Sequence, residues 1–355
     1  MQLLVINCGS ATLKWKLFRF TGGLQEAITS DALSVQENGW PEAVMATLAA
    51  VPVRPDAIVH RVVHGGEVAQ DVVSIDGAEY DRLRGLSSLA PLHSTTTLQA
   101  IEATSDLGVP LFAAFDSAFH RTLPELAHRY AIPPTPGVRR YGFHGWSHRY
   151  VTERYAEVSG NASPTIITLH LGNGCSAAAI RQGHAVDTSM GFSPLEGLLM
   201  GTRPGDLDPG VVLHLLRIGM TQEKVEWLLN HDSGLTALAG TRDMKELLSR
   251  SDSAARFAVE LFCYRVRKYV GAYLAVLEGA EAVVFTGGIG ERSPEIRRRV
   301  CEPLRWAGLV LDAERNLRGD ELISAGGSRL AAYAIPTDEE RIIAREAARV
   351  LGAAS

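Results

Sequence analysis

The sequence predicts an α/β fold built from two similar units. Strand-like apolar runs alternate with segments of helical periodicity, which is typical of sheets covered by helices. The first part reads as three strands, a helix, a strand, helices and a strand, and the same order starts again near residue 165. Because the two parts share no convincing residue-by-residue identity, the predicted duplication is architectural. A length of 355 residues agrees with about two domains.

The first unit begins with a predicted three-stranded meander. Two strand-like runs, Leu3–Asn7 and Leu13–Phe20, are separated by a glycine-containing turn, and Gly22 and Gly23 turn the chain into a third strand. A predicted helix over Trp40–Ala50 follows. The unit continues with a strand Ala57–Val63, helices within Ala78–Leu107 and a buried strand Leu111–Phe115.

The second unit repeats the meander. Its predicted strands are Thr165–His170, Ser176–Arg181 and Ala185–Thr188. The segments that follow are helices Val211–Leu216, Gln222–Leu229 and Ala254–Leu277, a strand Ala282–Thr286 and a helix after Ser293. An amphipathic helix over Asp338–Leu351 closes the chain, with acidic residues in its first turn that favour the helix dipole.

Composition and charge exclude several classes of protein. Apolar residues make up 46% and charged residues 21%, which fits neither a disordered nor a low-complexity chain. The net charge of −5 disfavours nucleic acid as a partner. No apolar run approaches the roughly 20 residues that cross a bilayer, and the first residues lack a basic flank, so neither a membrane span nor a secretion signal is expected. The four cysteines form no CxxC pair, and a cytosolic location is expected.

Three glycine-rich turns follow predicted strands. They lie in Asn7–Lys14, His170–Gly174 and Thr286–Glu291. Glycine lets backbone N–H groups approach an anion closely, and such turns recur where phosphates are held, although one alone is usually structural. None of the three matches the P-loop or the Rossmann fingerprint. Together they predict a nucleotide site of another kind.

Two arginines and a histidine stand in similar glycine-rich surroundings. Arg61 and Arg203 are flanked by turn residues, where a guanidinium suits bidentate capture of a carboxylate or phosphoryl oxygen. For the two arginines the alternative interpretation is a surface ion pair. For His144 it is a core histidine whose hydrogen bonds are satisfied. The histidines supply neither HExxH nor His-x-His spacing, so a magnesium ion carried by the nucleotide fits better than a transition metal.

These residues resemble the acetate kinases (the acetate/propionate kinase family) almost from end to end. The long stretch Asp187–Arg203 is the most specific part. The segments that carry the resemblance are Asn7–Lys14, His60–Gly66, Ala90–His93, Phe115–His120, Arg140–Gly145, His170–Gly174, Asp187–Pro209, Phe285–Glu291 and Ile335–Glu340.

The resemblance implies a fold and an activity. The fold would be that of the superfamily of actin, sugar kinases and heat-shock ATPases: two duplicated ribonuclease H-like domains, βββαβαβα each, with an interdomain cleft. The domains would comprise 1–118 with 338–355, and 119–337. The activity would be reversible, in-line phosphorylation of acetate by ATP with Mg²⁺, for which Mn²⁺ could substitute, yielding acetyl phosphate for acetyl-CoA biosynthesis. A cytoplasmic homodimer that contacts through the second domain is implied.

The resemblance also assigns residues. Arg61 resembles the acetate-binding arginine, Asp116 the catalytic-site aspartate, and His144 and Arg203 the stabilisers of the transition state. The implied Mg²⁺ residues are Asn7 and Glu339, and the implied substrate pocket contains Arg61, Val63, Leu92, Phe143 and Pro194. The implied nucleotide contacts are Thr12, Lys14, His170, Leu171, Gly172, Asn173, Gly174, Asp243, Met244, Lys245, Gly287, Gly288, Ile289, Gly290 and Glu291.

The chemistry explains these residue types. Acetate is already a carboxylate at neutral pH, so its attack on phosphorus needs no general base, and charge and positioning dominate the barrier. Arg61 and Arg203 would offset the repulsion between the two anions, and His144 would donate a hydrogen bond to the phosphoryl oxygens. Asp116 is therefore expected to orient an arginine or the metal shell.

The chain departs from the family pattern at a few positions. Ala11 stands between Ser10 and Thr12 where three serines are usual, Lys245 replaces an arginine, and Trp146 replaces a small residue. Asp338 replaces an asparagine beside the metal site that the resemblance implies. The chain is also shorter than typical members, with the deficit expected between residues 14 and 61.

Two alternative functions remain open from the sequence. A kinase for propionate or another short carboxylate would use the same motifs; Val63 favours acetate, but one methylene is worth only about 1 to 3 kcal/mol. The other alternative is a non-catalytic, actin-like nucleotide-binding module. In such a module His144, Arg61 and Arg203 would have no function beside the glycine-rich phosphate turns.

Overall fold

A computed structural model describes residues 1–9, 12–21, 24–35, 39–67, 70–86 and 91–352. The chain divides into two compact units. Unit 1 comprises Met1–Arg121, Phe143–Trp146 and Asp338–Ser355, and unit 2 comprises Thr122–Gly142 and Ser147–Thr337. The short segment Phe143–Trp146, which contains His144, thus belongs to unit 1 although its neighbours in sequence belong to unit 2. The domain bounds expected at residues 118 and 338 stay a prediction.

Unit 1 is built on a six-stranded sheet in the order β3-β2-β1-β4-β6-β5. Its strands are β1 (Gln2–Cys8), β2 (Thr12–Thr21), β3 (Leu24–Ser34), β4 (Ala57–Val62), β5 (Val72–Ser74) and β6 (Leu111–Phe115). Its helices are α1 (Trp40–Ala50), α2 (Gly77–Gly85), α3 (Pro91–Ser105) and α14 (Glu339–Val350).

Both faces of the central strand β1 are buried, as expected where helices cover a parallel region of a sheet. Leu4 and Ile6 join a core that includes Trp40 of α1 and Ile101 of α3. Because successive side chains alternate across a strand, the buried Leu3 lies on the opposite face, and α14 also packs against this strand. The final helix of the chain thereby returns to the first strand.

Unit 2 contains a five-stranded sheet in the order β11-β10-β7-β8-β9. Its strands are β7 (Ile166–Leu171), β8 (Cys175–Arg181), β9 (His184–Thr188), β10 (Ala282–Thr286) and β11 (Ala331–Ala334). The remaining helices are α4 (Glu125–His128), α5 (Gly145–Ser159), α6 (Pro209–Arg217), α7 (Gln222–His231), α8 (Gly234–Ala239), α9 (Met244–Ser249), α10 (Ser253–Leu277), α11 (Gly287–Arg292), α12 (Pro294–Cys301) and α13 (Ala313–Arg318).

The two sheets share one topology. In unit 1 the antiparallel meander β1-β2-β3 continues into two parallel strands, β4 and β6. In unit 2 the meander β7-β8-β9 continues in the same way into β10 and β11. The predicted α/β fold with a duplicated unit is confirmed, and β5, which pairs antiparallel with β6, is an addition in unit 1. Among the described residues, no helix is both long enough and apolar enough to cross a membrane.

Candidate active site

Three parallel strands of unit 1 carry polar residues to one edge of the sheet. Asn7 lies near the end of β1, Arg61 near the end of β4, and Asp116 directly after β6. In the register of the sheet, Ile6 is opposite His60, and Val62 is opposite Phe115. The three polar side chains therefore meet at the carboxyl ends of adjacent strands, where open α/β sheets commonly bind ligands.

Arg61 is held by two neighbours at this edge. Its Nε donates to Oδ1 of Asp116 at 2.8 Å, Nη2 bonds the other carboxylate oxygen, and Nη1 donates to Oδ1 of Asn7 at 2.8 Å. Asn7 Nδ2 in turn donates to Glu340 at 2.8 Å. Because arginine only donates and glutamate only accepts, these partners fix which way the Asn7 amide faces.

Burial and charge act against each other in this pair. The side chain of Asp116 is 1% exposed and that of Arg61 is 11% exposed. Burial raises the pKa of Asp116 to about 6, although Arg61 opposes this shift. Burial lowers the pKa of Arg61, but attraction to Asp116 and Glu339 outweighs it and the net direction is upward. Both groups are therefore ionised at neutral pH.

His144 is positioned through its backbone. It is a non-glycine residue with φ of 55°, in the left-handed region, which costs energy and often marks a functional site. Its backbone N–H bonds to the Asp116 carboxylate, lowering the pKa of that group, and the next N–H, of Gly145, donates to the Asp116 carbonyl at 3.1 Å. A Cβ at Gly145 would overlap that carbonyl oxygen. Asp116 thus bonds both Arg61 and the turn that carries His144.

Three of the four apolar residues expected in the substrate pocket belong to unit 1. Val63 and Phe143 are both buried. The Phe143 and His64 rings pack in a T-shaped arrangement with 5.5 Å between centroids, and the Phe143 carbonyl accepts a hydrogen bond from His120 at 3.0 Å. The side chain of Leu92 lies outside the described residues. Pro194, the fourth apolar residue expected there, belongs to unit 2.

Glu339 and Asn7 offer oxygen ligands beside Arg61. Oε2 of Glu339 lies 3.6 Å from Arg61 Nε, and the Asn7 oxygen lies 2.8 Å from Nη1. In the described part of the chain, no group of three or more histidine, cysteine, aspartate or glutamate residues could hold a metal. An amide oxygen and one carboxylate fit Mg²⁺, which takes few protein ligands and completes its shell with phosphates and water.

The extra negative charge at Asp338 has two cationic partners, Lys16 and Arg341. Lys16 Nζ lies 2.8 Å from Oδ2 of Asp338, and the other carboxylate oxygen caps α14 by accepting from the N–H of Arg341. The departure from the family pattern beside Glu339 is thus locally neutralised. No sequence pattern pointed to Lys16 as a partner of Asp338, because a lysine on an amphipathic strand usually faces solvent.

Two of the glycine-rich turns meet in unit 2. β7 and β10 run parallel, with Thr286 opposite His170, so the glycine-rich segments that follow them lie side by side. The second of these segments was expected as a turn, but it forms the short helix α11, which begins at Gly287. Gly287 has φ of 75°, and a Cβ there would lie 2.7 Å from the carbonyl oxygen of Leu171. Glycine is required at this position, because only it allows the second turn to lie directly on the first.

The stretch that carries Arg203 lies against the first of these turns. Gly201 N–H donates to the Asn173 carbonyl at 2.9 Å, and a Cβ at Gly201 would overlap the Asn173 side chain. Arg203 itself donates to the Pro194 carbonyl at 3.1 Å, and burial lowers its pKa. His170 is bonded to Ser147 at 2.7 Å between Nδ1 and Oγ. Unit 2 therefore gathers both glycine-rich turns and the Arg203 loop.

A polar network supports that loop, and sequence reasoning missed it. Glu196 accepts from Tyr130 at 2.7 Å and from Arg140 at 2.6 Å. Asp206 accepts from Gly197 N–H at 3.0 Å and from Tyr269 at 2.9 Å. These residues come from distant parts of the chain, so no local motif could have revealed the network.

The remaining residues expected at the nucleotide site are divided between the units. Asp243 caps α9 by accepting from the N–H of Lys245, whose side chain is exposed, while Met244 is buried. Thr12 and Lys14 lie on β2 in unit 1, where Lys14 pairs with Asn7 in the sheet register. Ser10 and Ala11 lie outside the described residues. Glu291 bonds backbone groups of its own unit.

The duplicated fold, the anchored arginine and the paired glycine turns define a phosphotransferase of the two-unit α/β type. Comparison with known proteins narrows this class. A model of the acetokinase family matches residues 49–345. An acetate kinase of Solibacter usitatus is 42% identical, covering 99% of this chain and 98% of its own. Among solved structures, a propionate kinase of Francisella tularensis has a TM-score of 0.88 at 32% identity, and the match covers 97% of this chain and 98% of that protein. An acetate kinase of Porphyromonas gingivalis has a TM-score of 0.85 at 36% identity, and the match covers 99% of both chains.

The chain belongs to the acetokinase family. Its activity is that of the family, the ATP-dependent phosphorylation of acetate, and the resemblance inferred from the sequence motifs is confirmed. The alignment with the Solibacter relative spans 407 positions, more than this chain has, so that relative carries residues that are missing here. The place of the missing residues, expected between residues 14 and 61, stays a prediction.

Proposed function

We propose that the chain transfers the γ-phosphoryl group of ATP to acetate directly and in line, and reversibly, with a catalytic site formed by Arg61, His144 and Arg203 and by Asp116, which positions Arg61. The observation that supports this most is the clamped guanidinium of Arg61 at the edge of the unit 1 sheet. A fixed cation at this point suits a reaction whose barrier is mainly repulsion between two anions.

Arg61 has donors suited to the acetate carboxylate. Asp116 engages Nε and Nη2, and Asn7 engages Nη1. Each terminal nitrogen of a guanidinium carries two N–H groups, so a second N–H on both can bind a carboxylate in bidentate fashion. In this role Asp116 is a positioning group and not a base, because acetate has no proton to give up.

His144 and Arg203 would stabilise charge that develops on the transferred phosphoryl group. An imidazole donor and a guanidinium are suitable groups for this, and each such stabiliser is typically worth about 3 kcal/mol. The strained backbone of His144 and the tie of Arg203 to the Pro194 carbonyl support preorganised positions for both side chains.

Asn7 and Glu339 would hold Mg²⁺ when it is bound with the nucleotide. The ion would supply charge neutralisation for the phosphates. The chain's own contribution is to hold these oxygens in place: Glu340 fixes the Asn7 amide, and Asp338 caps the helix on which Glu339 is the first residue.

The nucleotide would bind unit 2 at the turns of His170–Gly174 and Gly287–Glu291, with Asp243, Met244 and Lys245 near the base. Lysine lacks the planar group with which an arginine can stack on adenine. We therefore expect weaker discrimination between ATP and other nucleoside triphosphates, tested by comparing kcat/KM for ATP, GTP and ITP.

Acetate is the proposed substrate, with propionate as the alternative. Val63 and Phe143 are buried, and they lie close in sequence to Arg61 and His144. Their burial supports a small apolar pocket for a methyl group. Phosphoryl transfer to acetate, propionate and butyrate should be measured in parallel. The proposal requires the highest kcat/KM with acetate; ATP binding without transfer to any of the three would contradict it.

We also propose a cytosolic homodimer that contacts through unit 2. Several large apolar side chains of that unit are more than half exposed, among them Leu213, Ile218, Trp227 and Phe257. The four free, buried cysteines agree with a reducing compartment. Light scattering coupled to size exclusion should give twice the mass of 38.3 kDa, and a mass of one chain at micromolar concentration would refute the dimer.

A further inference from the structure

Arg297 is the largest fully buried side chain in the described part of the chain, with 1% of its surface exposed. It lies on α12, which follows directly after α11 and hence after the glycine-rich segment Gly287–Glu291. A buried guanidinium is costly unless its N–H groups are satisfied. Its partners therefore show what the charge is used for.

The acceptors of Arg297 are all neutral oxygens. Nη1 donates to the carbonyls of Gly290 at 2.8 Å and Glu291 at 2.6 Å. Nε donates to the side-chain oxygen of Asn316 at 2.8 Å, and Nη2 donates to the Asn316 carbonyl at 2.7 Å. Because none of these acceptors is a carboxylate, the positive charge is not cancelled by them and lies directly behind the glycine-rich segment.

Asn316 fixes the guanidinium from the other side. It is buried on α13, and its Nδ2 donates to the Pro294 carbonyl at 2.9 Å. The end of α11, the start of α12 and the middle of α13 are thus joined through one arginine and one asparagine. A side chain with a single donor group could not make the same set of bonds.

The opposite end of the segment is held by Glu291. Its Oε1 accepts from the N–H groups of Gly287 at 3.0 Å and Thr337 at 2.9 Å, and from the Thr286 hydroxyl at 3.2 Å. Between the two anchored ends, Gly288 is exposed, and a Cβ built there would meet no atom within 4 Å. The segment is therefore fixed from behind and open in front.

We propose that Arg297 is a positioning residue for nucleotide binding: it immobilises the Gly287–Glu291 segment by its carbonyls and adds a buried positive charge behind the phosphates. The inference rests on the proposed assignment of this segment to the nucleotide. Three glycines in five residues give the free backbone much freedom, and an anchored backbone loses less entropy on binding.

The test compares Arg297→Met and Arg297→Lys with the control Arg298→Met. Arg298 is on the same helix but exposed, and it pairs with Glu295 and Glu302. The measurements are the Kd of ATP without acetate, KM for ATP and for acetate, and hydrogen exchange of the amides in 287–292. We expect R297M to raise the Kd and KM of ATP at least tenfold, to leave KM for acetate within twofold and to accelerate exchange in the segment. R297K should fall between R297M and wild type, and R298M should match wild type.

A folded R297M protein that binds ATP like wild type, or that raises both KM values equally, would overturn the inference. If R297M does not fold, the Kd of ATP is measured for Asn316→Ala, which removes a partner of Arg297. We expect about a threefold weaker affinity for ATP, and an unchanged affinity would overturn the proposal. Binding of ATP that depends on Arg297 in a chain that phosphorylates no carboxylate would refute the proposed function and leave this inference intact.

Discussion

The two units use the same edge of the same sheet topology in different ways. In unit 1 the ends of β1, β4 and β6 carry Asn7, Arg61 and Asp116, which bond one another through side chains. In unit 2 the corresponding strands β7 and β10 are followed by glycines, and the start of α11 lies against the backbone at the end of β7. A duplicated scaffold can thus give one copy charged side chains, suited to a small anion, and the other copy accessible backbone, suited to a larger phosphate chain.

This contrast predicts that Arg61→Ala has the largest effect on catalysis. Loss of the guanidinium removes the proposed carboxylate ligand and leaves Asp116 buried without it, so kcat/KM for acetate should fall about 10³-fold. The Kd of ATP should change less than threefold. Steady-state kinetics and ATP titration measure the two quantities, and Arg19→Ala, at an exposed arginine of the same unit, is the control. A loss below tenfold in folded R61A protein would show that unit 1 does not depend on this charge.

Gly287→Ala tests the backbone side of the comparison. The left-handed conformation and the approach of a Cβ to within 2.7 Å of Leu171 should together lower the free energy of unfolding by about 3 kcal/mol. The affinity for ATP should fall as well, because the two turns must separate. Urea unfolding checks the first effect, with Gly326→Ala as control, since a Cβ there meets no atom within 4 Å. Equal stability of G287A and G326A would mean that the turns can part without cost.

Arg203 is the charged exception in unit 2, and Arg203→Ala should lower kcat by about two orders of magnitude with an intact fold. Its effect should appear in kcat more than in the KM of either substrate, because the side chain is assigned to the transition state. Circular dichroism establishes folding and initial rates give kcat. Near-wild-type turnover would remove Arg203 from the catalytic set.

The buried His60 predicts how the stability of unit 1 depends on pH. Its Nε2 donates to Thr104, whose hydroxyl is itself bonded to helix carbonyls, and burial lowers the pKa of His60 from 6.5 to about 3. As the pH falls below 6.5 the unfolded chain takes up a proton first. The stabilisation is therefore complete above pH 6.5 and is lost as the pH falls toward 3.

Between pH 7.5 and pH 5 this single histidine should cost about 2 kcal/mol. Glutamine at position 60 keeps a donor for Thr104 but does not titrate. Between pH 7.5 and pH 5 the free energy of unfolding of His60→Gln should therefore fall by about 2 kcal/mol less than that of the wild type. Hydrogen exchange of amides in β1 and β4 reports on unit 1, and His184→Gln, at an exposed histidine, is the control. Parallel pH profiles of H60Q and wild type would exclude His60 as the source.

Sequence patterns predicted elements with strong periodicity or sharp boundaries and missed those defined by tertiary contacts. The strands Leu111–Phe115 and Ala282–Thr286 and the helix Trp40–Ala50 were expected with the bounds that are found. The helix α5 was missed, because its aromatic and β-branched residues favour helix weakly. Its first residues were interpreted only as a motif around His144.

The candidate site divides along the same line. The motifs predicted which residue types would act, and the parallel strand order explains why Asn7, Arg61 and Asp116 meet. Positioning residues such as Arg297 and Glu340 could not be predicted, because their partners are distant in sequence or are backbone carbonyls, which leave no pattern of residue types. The assignment of individual site residues to acetate, nucleotide and metal stays a prediction.

The smallest effect on stability is expected for the ion pair of Lys16 with Asp338, the residue that stands where the family usually has an asparagine. Lys16 and Asp338 are each about one-fifth exposed, so solvent screens their attraction, and their coupling energy should be about 0.5 to 1 kcal/mol. The free energies of unfolding of the wild type, Lys16→Met, Asp338→Asn and the double variant form a double-mutant cycle that measures this coupling energy. Asparagine still caps α14, but D338N loses the pair with Arg341 at 3.2 Å as well as the pair with Lys16, so the double variant should lose no more than D338N alone. The exposed pair Arg19–Glu26, at 3.5 Å, should give a coupling near zero in the same cycle. Additive losses at Lys16 and Asp338 would mean that the extra carboxylate beside Glu339 is not neutralised by this lysine.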